Sequence, residues 1–182
     1  MNQLTINHSL VEIFTGDLTN IEQYDAVVIP TNSRLLPSGD LRCKVLRRAG
    51  TANIQVECNQ IINKITQVAV GSSVMTSGGS LTKYLIHTNG PRPGQGNEGK
   101  KLILATWNSL KLADDKGLNS IIFPPISAEL RGFTMEICAK AMLPTIKKYL
   151  IEKNKNLRNI SVCLETEEDH KDFEKVLEEI SD

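Results

Sequence analysis

Apolar residues along the 182-residue chain fall into two recurring patterns. Short runs rich in β-branched residues predict strands over Leu10–Thr15, Asp25–Ile29, Gln67–Met75, Lys83–His87, Ser120–Phe123 and Asn159–Leu164. Four of these carry unbroken apolar centres, "AVVI", "YLI", "SIIF" and "ISVCL", as strands covered on both faces do. Longer stretches predict helices over Asp40–Ala49, Asn53–Ile65, Glu98–Lys116, Thr134–Glu152 and Glu167–Ile180. In the third, Ile103, Trp107, Leu110 and Ala113 recur at spacings of three and four, which lines up one apolar face. Thr166 is placed to cap the last helix, with Asp169 positioned to complete a capping box. Pro144 predicts a bend or restart inside the fourth. Strands and helices in alternation, with the strands buried on both sides, predict an α/β fold: a three-layer α/β/α domain covering residues 1–182.

Composition narrows the classes without naming one. The chain is 40% apolar and 23% charged, and no apolar run approaches the length of a membrane span, so no membrane association is expected. The N-terminal "MNQLTINHSLVEIF" lacks a basic segment and a continuous apolar stretch, which argues against a secretory signal and favours a cytoplasmic or nuclear address. Basic and acidic residues number 21 each, so no global field draws in a polyanion, and any anion site must be local. Cys43, Cys58, Cys138 and Cys163 are scattered without a CxxC pair, which predicts buried or idle thiols and neither a metal site nor a cofactor built on them.

In three-layer α/β folds ligands sit beyond the carboxyl ends of the strands. The loops to inspect therefore follow Ile29, His87, Phe123 and Leu164, and four short segments fall on or beside them: "TGDLT", "PTN" with "SGDL", "IHTNGP" and "FPPISAELRGF". Pro30 has no backbone N–H and so marks the end of its ladder, while Asn32 offers an amide donor and acceptor just beyond. Ser38, Gly39 and Asp40 stand at a helix N-terminus, whose free N–H groups attract anions, and Asp40 is also a favoured N-cap type. His87 ends an apolar strand and reads as an interior histidine with satisfied partners. Lys44, Arg47 and Arg48 share one side of the helix from Asp40, and Leu41, Val45, Leu46 and Ala49 the other.

The order Gly16-Asp17-Leu18-Thr19, Asp25-Ala26-Val27-Val28, Asn32, His87 to Pro91 and Phe123 to Phe133 resembles that of the macro domain, the ADP-ribose-binding module, over nearly the whole chain. "PTN…DL" and "LADDKGLNSIIFPPI" are most similar to the macro domain fused to a variant core histone, regarded as a binder rather than an enzyme. The resemblance implies a mixed central sheet, ADP-ribose or ADP-ribosylated protein as partner, and a pocket built from Asp17, Leu18, Asn32, Ser38, Gly39, Asp40, Leu41, Ser127, Ala128, Glu129, Leu130, Arg131, Gly132, Phe133 and Leu164. It casts Asp17 against the adenine amine, although the same carboxylate could equally cap the turn at Thr19. It sets Asn32 beside the distal ribose and Ser127 to Phe133 around the diphosphate.

The chain departs from the family pattern at three places. Glu129 stands where the family has a glycine, and a carboxylate about 5 Å from a phosphate costs roughly 3 kcal/mol at an effective dielectric near 20, about two decades of affinity. Arg131 is placed to pair with Glu129 or to hold the phosphates itself. Arg42 and Leu46 occupy the positions where hydrolytic members carry an Asp and a His, and Leu164 replaces an aromatic that stacks on adenine. The expectation is a non-catalytic ADP-ribose binder. The alternatives are an ADP-ribosyl hydrolase, or a scaffold closed to nucleotides that binds protein or, weakly, RNA through Lys44, Arg47 and Arg48.

Overall fold

Alternation within the strands decides where each layer lies. In β3 (Ala26–Pro30), Ala26 and Val28 pack into one core while Val27 and Ile29 pack into another. The first core is closed by α3 (Glu98–Asp115), α4 (Met135–Glu152) and α5 (Glu167–Glu179), the second by α1 (Asp40–Ala49) and α2 (Thr51–Ile65). The computed structural model, which describes residues 1–21, 23–128 and 133–181, thus has the expected three α/β/α layers.

The remaining strands are β1 (Gln3–Ile6), β2 (Ser9–Thr15), β4 (Ser73–Ser77), β5 (Tyr84–Thr88), β6 (Ser120–Phe123) and β7 (Asn159–Leu164). They join β3 in one seven-stranded mixed sheet, ordered β1-β2-β7-β6-β3-β5-β4. Neighbours from β2 through β5 run parallel, and β1 and β4 close the two edges antiparallel. All five inner strands therefore deliver their carboxyl ends to one rim, where the candidate loops gather.

Asp25 clamps the opposite rim. Its carboxylate accepts hydrogen bonds from the Asn119 and Ser120 amides at 2.9 and 3.2 Å, and Lys83 Nζ lies 2.6 Å from it. Burial works against the charged form, but these donors outweigh it and lower the pKa of Asp25. At the far end of α3, buried Asp114 accepts from Tyr149 Oη at 2.9 Å and from the Asn156 amide at 2.7 Å, which ties α3, α4 and the approach to β7 together.

Several boundaries differ from the sequence expectation. β1 was not foreseen; it pairs with β2 through a two-residue turn in which Asn7 takes φ 52°, a left-handed conformation asparagine tolerates. β4 begins at Ser73, because residues 67–72 form a loop held by Val68 N donating to Ser33 O and Asn89 Nδ2 donating to Val68 O. The β3 ladder does not stop short of Pro30: Pro30 pairs in register with Thr88, and the next rung is the Thr31 amide donating to Thr88 O. α4 runs continuously through Pro144 without a restart. Thr166 caps α5 by accepting from the Asp169 amide at 3.1 Å, one half of the expected capping box.

Candidate functional site

A cleft of about 490 Å³ opens on the rim formed by the strand carboxyl ends. Gly16, Asp17 and Leu18 line it after β2, Pro30 at the end of β3, Pro124, Pro125 and Ala128 after β6, and Cys163 and Glu165 at β7. Asp40, Leu41 and Lys44 close it from α1, Met135 from α4 and Asp169 from α5. A second groove, lined by Phe14, Asn20, Ile21 and Gln23, shares Gly16 and Asp17 as its wall.

Asp17 fills the capping role its sequence context allowed, with one oxygen. Oδ1 accepts from Thr19 N at 2.8 Å and Thr19 Oγ1 at 2.7 Å, capping the short helical turn Leu18–Asn20. Those two bonds hold the carboxyl below its ordinary range. Oδ2 has no partner among the described residues and belongs to a side chain on the cleft wall.

Gly39, not Asp40, is the N-cap of α1, with φ 74° and ψ 157°, a conformation essentially reserved for glycine. No side chain caps the helix, because Asp40 lies inside the first turn and pairs with Lys44 at 2.6 Å. The first amides of α1 are therefore left uncapped at the cleft edge, the arrangement that receives anions.

The Asn32 amide is fully engaged within its own loop. Its Oδ1 accepts from Arg34 N at 3.0 Å and Leu36 N at 3.1 Å, and its Nδ2 donates to Leu36 O at 2.8 Å and Ser38 Oγ at 2.7 Å. Asn32, Ser38 and Gly39 thus shape the approach to α1 without lining the cleft. Ser127 takes φ 65° and its hydroxyl donates to Pro91 O at 2.8 Å, so it joins two loops. Phe133 packs against the α3–α5 core.

Leu164 is completely buried in that same core, so it offers no surface to a guest. Its neighbours Cys163 and Glu165 line the cleft instead, since adjacent strand residues face opposite sides. Burial, helped by the Asp17 and Glu165 carboxylates, pushes the Cys163 thiol up to about 11, which keeps it neutral and a poor nucleophile at neutral pH. Glu129, Leu130, Arg131 and Gly132 lie outside the described residues.

Sequence reasoning missed the strand-end residues Gly16, Pro30, Pro124, Pro125 and Cys163 as cleft residues, then Lys44, and also Met135, Glu165 and Asp169. Lys44 was visible only as part of a basic helix face, and the last three stand one position beyond an element end or inside a first turn. The described wall carries Asp17, Asp40, Glu165 and Asp169 against the single ammonium of Lys44. Among the described residues, backbone N–H groups therefore offer an anionic guest more support than these side chains do.

Arg42 and Leu46 face the interior, at 0% and 1% exposure. His87 is also fully buried; its Nδ1 lies 2.8 Å from Arg42 Nη1 and its Nε2 2.8 Å from Thr76 Oγ1. An arginine only donates, so Nδ1 is the acceptor and the ring proton sits on Nε2. Burial first, then the guanidinium charge, drive the His87 pKa well below its ordinary value. Among the described residues no cluster of His, Cys, Asp or Glu is arranged to hold a metal, and no helix is long and apolar enough to cross a membrane.

A family model described as the macro domain matches residues 28–142. The chain belongs to the macro domain family. O-acetyl-ADP-ribose deacetylase 1 of Pantoea vagans is 35% identical over 161 residues, covering 86% of this macro domain and 92% of that protein. The Oceanobacillus iheyensis macrodomain solved with ADP superposes with a TM-score of 0.90 at 29% identity, covering 98% of this chain and 95% of that one. The Trypanosoma brucei macrodomain in complex with ADP-ribose gives 0.78 at 26% identity, over 91% of this chain and 68% of that one.

Proposed function

We propose that this macro domain binds ADP-ribose, free or attached to protein, without turning it over. The observation that carries the reading is the cleft itself. A space of about 490 Å³ joins an unpartnered carboxylate oxygen on Asp17 to the uncapped N-terminus of α1. The first group accepts from an exocyclic amine such as that of adenine, and the second receives phosphate oxygens. Structural relatives with ADP and ADP-ribose bound support the assignment.

The non-catalytic part rests on residue type: the described wall offers carboxylates and one ammonium but neither a histidine nor a thiolate. His87 is sealed in the interior and Cys163 is a neutral thiol, so neither serves as base or nucleophile. Solved variants of the Oceanobacillus iheyensis macrodomain replace an asparagine, a glycine and an aspartate spaced seven and then three residues apart. Asn32, Gly39 and Arg42 repeat that spacing, with a buried arginine at the third position.

Titration calorimetry with ADP-ribose is the test: 1:1 heat is expected, and silence at millimolar ligand would remove the proposal. The Pantoea vagans relative supports a second reading, hydrolysis of an ADP-ribose ester. Incubation with O-acetyl-ADP-ribose and with mono-ADP-ribosylated protein separates the two, because a binder releases neither acetate nor label above background.

A further inference from the structure

Arg42 is a large buried side chain whose charge has no carboxylate partner among the described residues; besides His87, the titratable group facing it is the buried Cys58 thiol, which burial keeps neutral. Its guanidinium spreads across one segment of main chain: Nε donates to Leu36 O at 3.1 Å, Nη2 to Leu35 O at 3.1 Å and Nη1 to Pro30 O at 3.3 Å. The fourth contact, from Nη1 to His87 Nδ1, is to a neutral acceptor. His87 passes its own proton toward Thr76 Oγ1, whose hydroxyl donates to Ser77 O at 2.9 Å, so the chain of donors ends on a carbonyl. A buried cation is costly unless its donors are met, and here backbone carbonyls of a single arch meet them.

That arch is the one that leads to the cleft. Pro30 lines the cleft, Leu35 is held at φ 57°, and the Leu36 carbonyl accepts from both Arg42 Nε and Asn32 Nδ2. One oxygen therefore couples the interior arginine to the asparagine, and Asn32 in turn donates to Ser38 Oγ, one residue before the Gly39 cap. A planar fork with several donors can span three carbonyls; a lysine ammonium, a point donor, cannot.

We propose that Arg42 is the positioning residue of the ligand-facing loop: from inside the fold it fixes the Pro30–Leu36 arch and, through the shared Leu36 carbonyl, presents the N-terminus of α1 to the cleft already in its binding shape. Arg42 touches no guest. Its effect on affinity is the ordering of residues 31–41 before the guest arrives. The consequence for binding rests on the ADP-ribose reading above, whereas the clamp itself does not.

The experiment compares the wild-type protein with Arg42→Lys by hydrogen exchange, histidine ¹⁵N spectroscopy and ADP-ribose calorimetry. In ligand-free Arg42→Lys, amides of residues 33–41 should exchange at least tenfold faster while those of β6 and β7 keep their rates. The His87 Nδ1 and Nε2 resonances should lose the pattern of one acceptor and one protonated nitrogen. ADP-ribose affinity should fall about tenfold. Uniform acceleration across the fold, or loop rates and affinity within twofold of wild type, would overturn the proposal. If Arg42→Lys does not fold, the wild type still decides: slow exchange of the Arg42 Nε proton is required, and exchange at the rate of an exposed arginine refutes the clamp. A wild type that ignores ADP-ribose ends the functional reading but leaves the exchange and nitrogen results to judge Arg42.

Discussion

Replacing Asp17 by asparagine separates the two jobs of its carboxylate. The amide oxygen can take over from Oδ1 and accept from Thr19 N and Thr19 Oγ1, now 2.8 and 2.7 Å away. The turn at Leu18–Asn20 therefore keeps its cap, and stability should change by no more than about 0.5 kcal/mol. Oδ2, however, becomes an amino group that meets the adenine amine donor to donor. Losing a hydrogen bond to a charged acceptor removes about 1.5–3 kcal/mol, roughly 10- to 150-fold in Kd. Asp17→Ala should show the same loss of affinity together with about 1 kcal/mol of stability from the missing cap. Calorimetry at fixed salt, paired with urea denaturation, reads both quantities. A hypoxanthine analogue of ADP-ribose, whose position-6 oxygen accepts where the amine donates, should reverse the preference and bind Asp17→Asn more tightly than wild type. Should Asp17→Asn bind ADP-ribose within twofold of wild type, the carboxylate is only a cap and the adenine end lies elsewhere.

Three further expectations concern the scaffold. His87 stays neutral when folded but titrates near 6.5 when unfolded, so stability should be flat above that pH and fall by up to about 1.4 kcal/mol per unit below it. Asp17 and Asp25, with lowered pKa values, add their losses only as pH falls through 3.8, so denaturation between pH 7 and 5 isolates His87, and a His87→Gln variant should lose the slope. Gly79 sits at φ 57°, and a Cβ there would lie 1.9 Å from Ala49 O, so Gly79→Ala should cost at least about 2 kcal/mol by thermal or urea unfolding. Asp114→Ala leaves the Tyr149 hydroxyl and the Asn156 amide without their acceptor; about 3–5 kcal/mol of stability should disappear while any ADP-ribose affinity of the surviving fold is unchanged.

The layers were legible because burial on both faces leaves a plain mark: "AVVI", "SIIF" and "ISVCL" are short, rich in β-branched residues and apolar on both sides, as strands covered by helices above and below are. β1 left no such mark, since an edge strand needs one apolar side and Leu4 and Ile6 alone supply it. The cleft was legible in its chain positions, Asp17, Asp40 and Leu41, but less so in the direction of side chains. Leu164 and Cys163 differ by one position and face opposite layers, a distinction that a motif match cannot register. Asn32 illustrates a second limit. Its type and position suit a ribose, yet its partners are four atoms of the loop that follows, and only coordinates reveal that the amide is already committed.

The cleft takes one wall from α1, which belongs to one apolar core, and another from α4 and α5, which belong to the second. Whatever lodges between them straps together two layers that lie on opposite faces of the sheet. Occupancy would thus be felt as stiffness on both flanks at once, so a tag or partner attached to α5 could sense a guest held against α1 without any movement of the strands between.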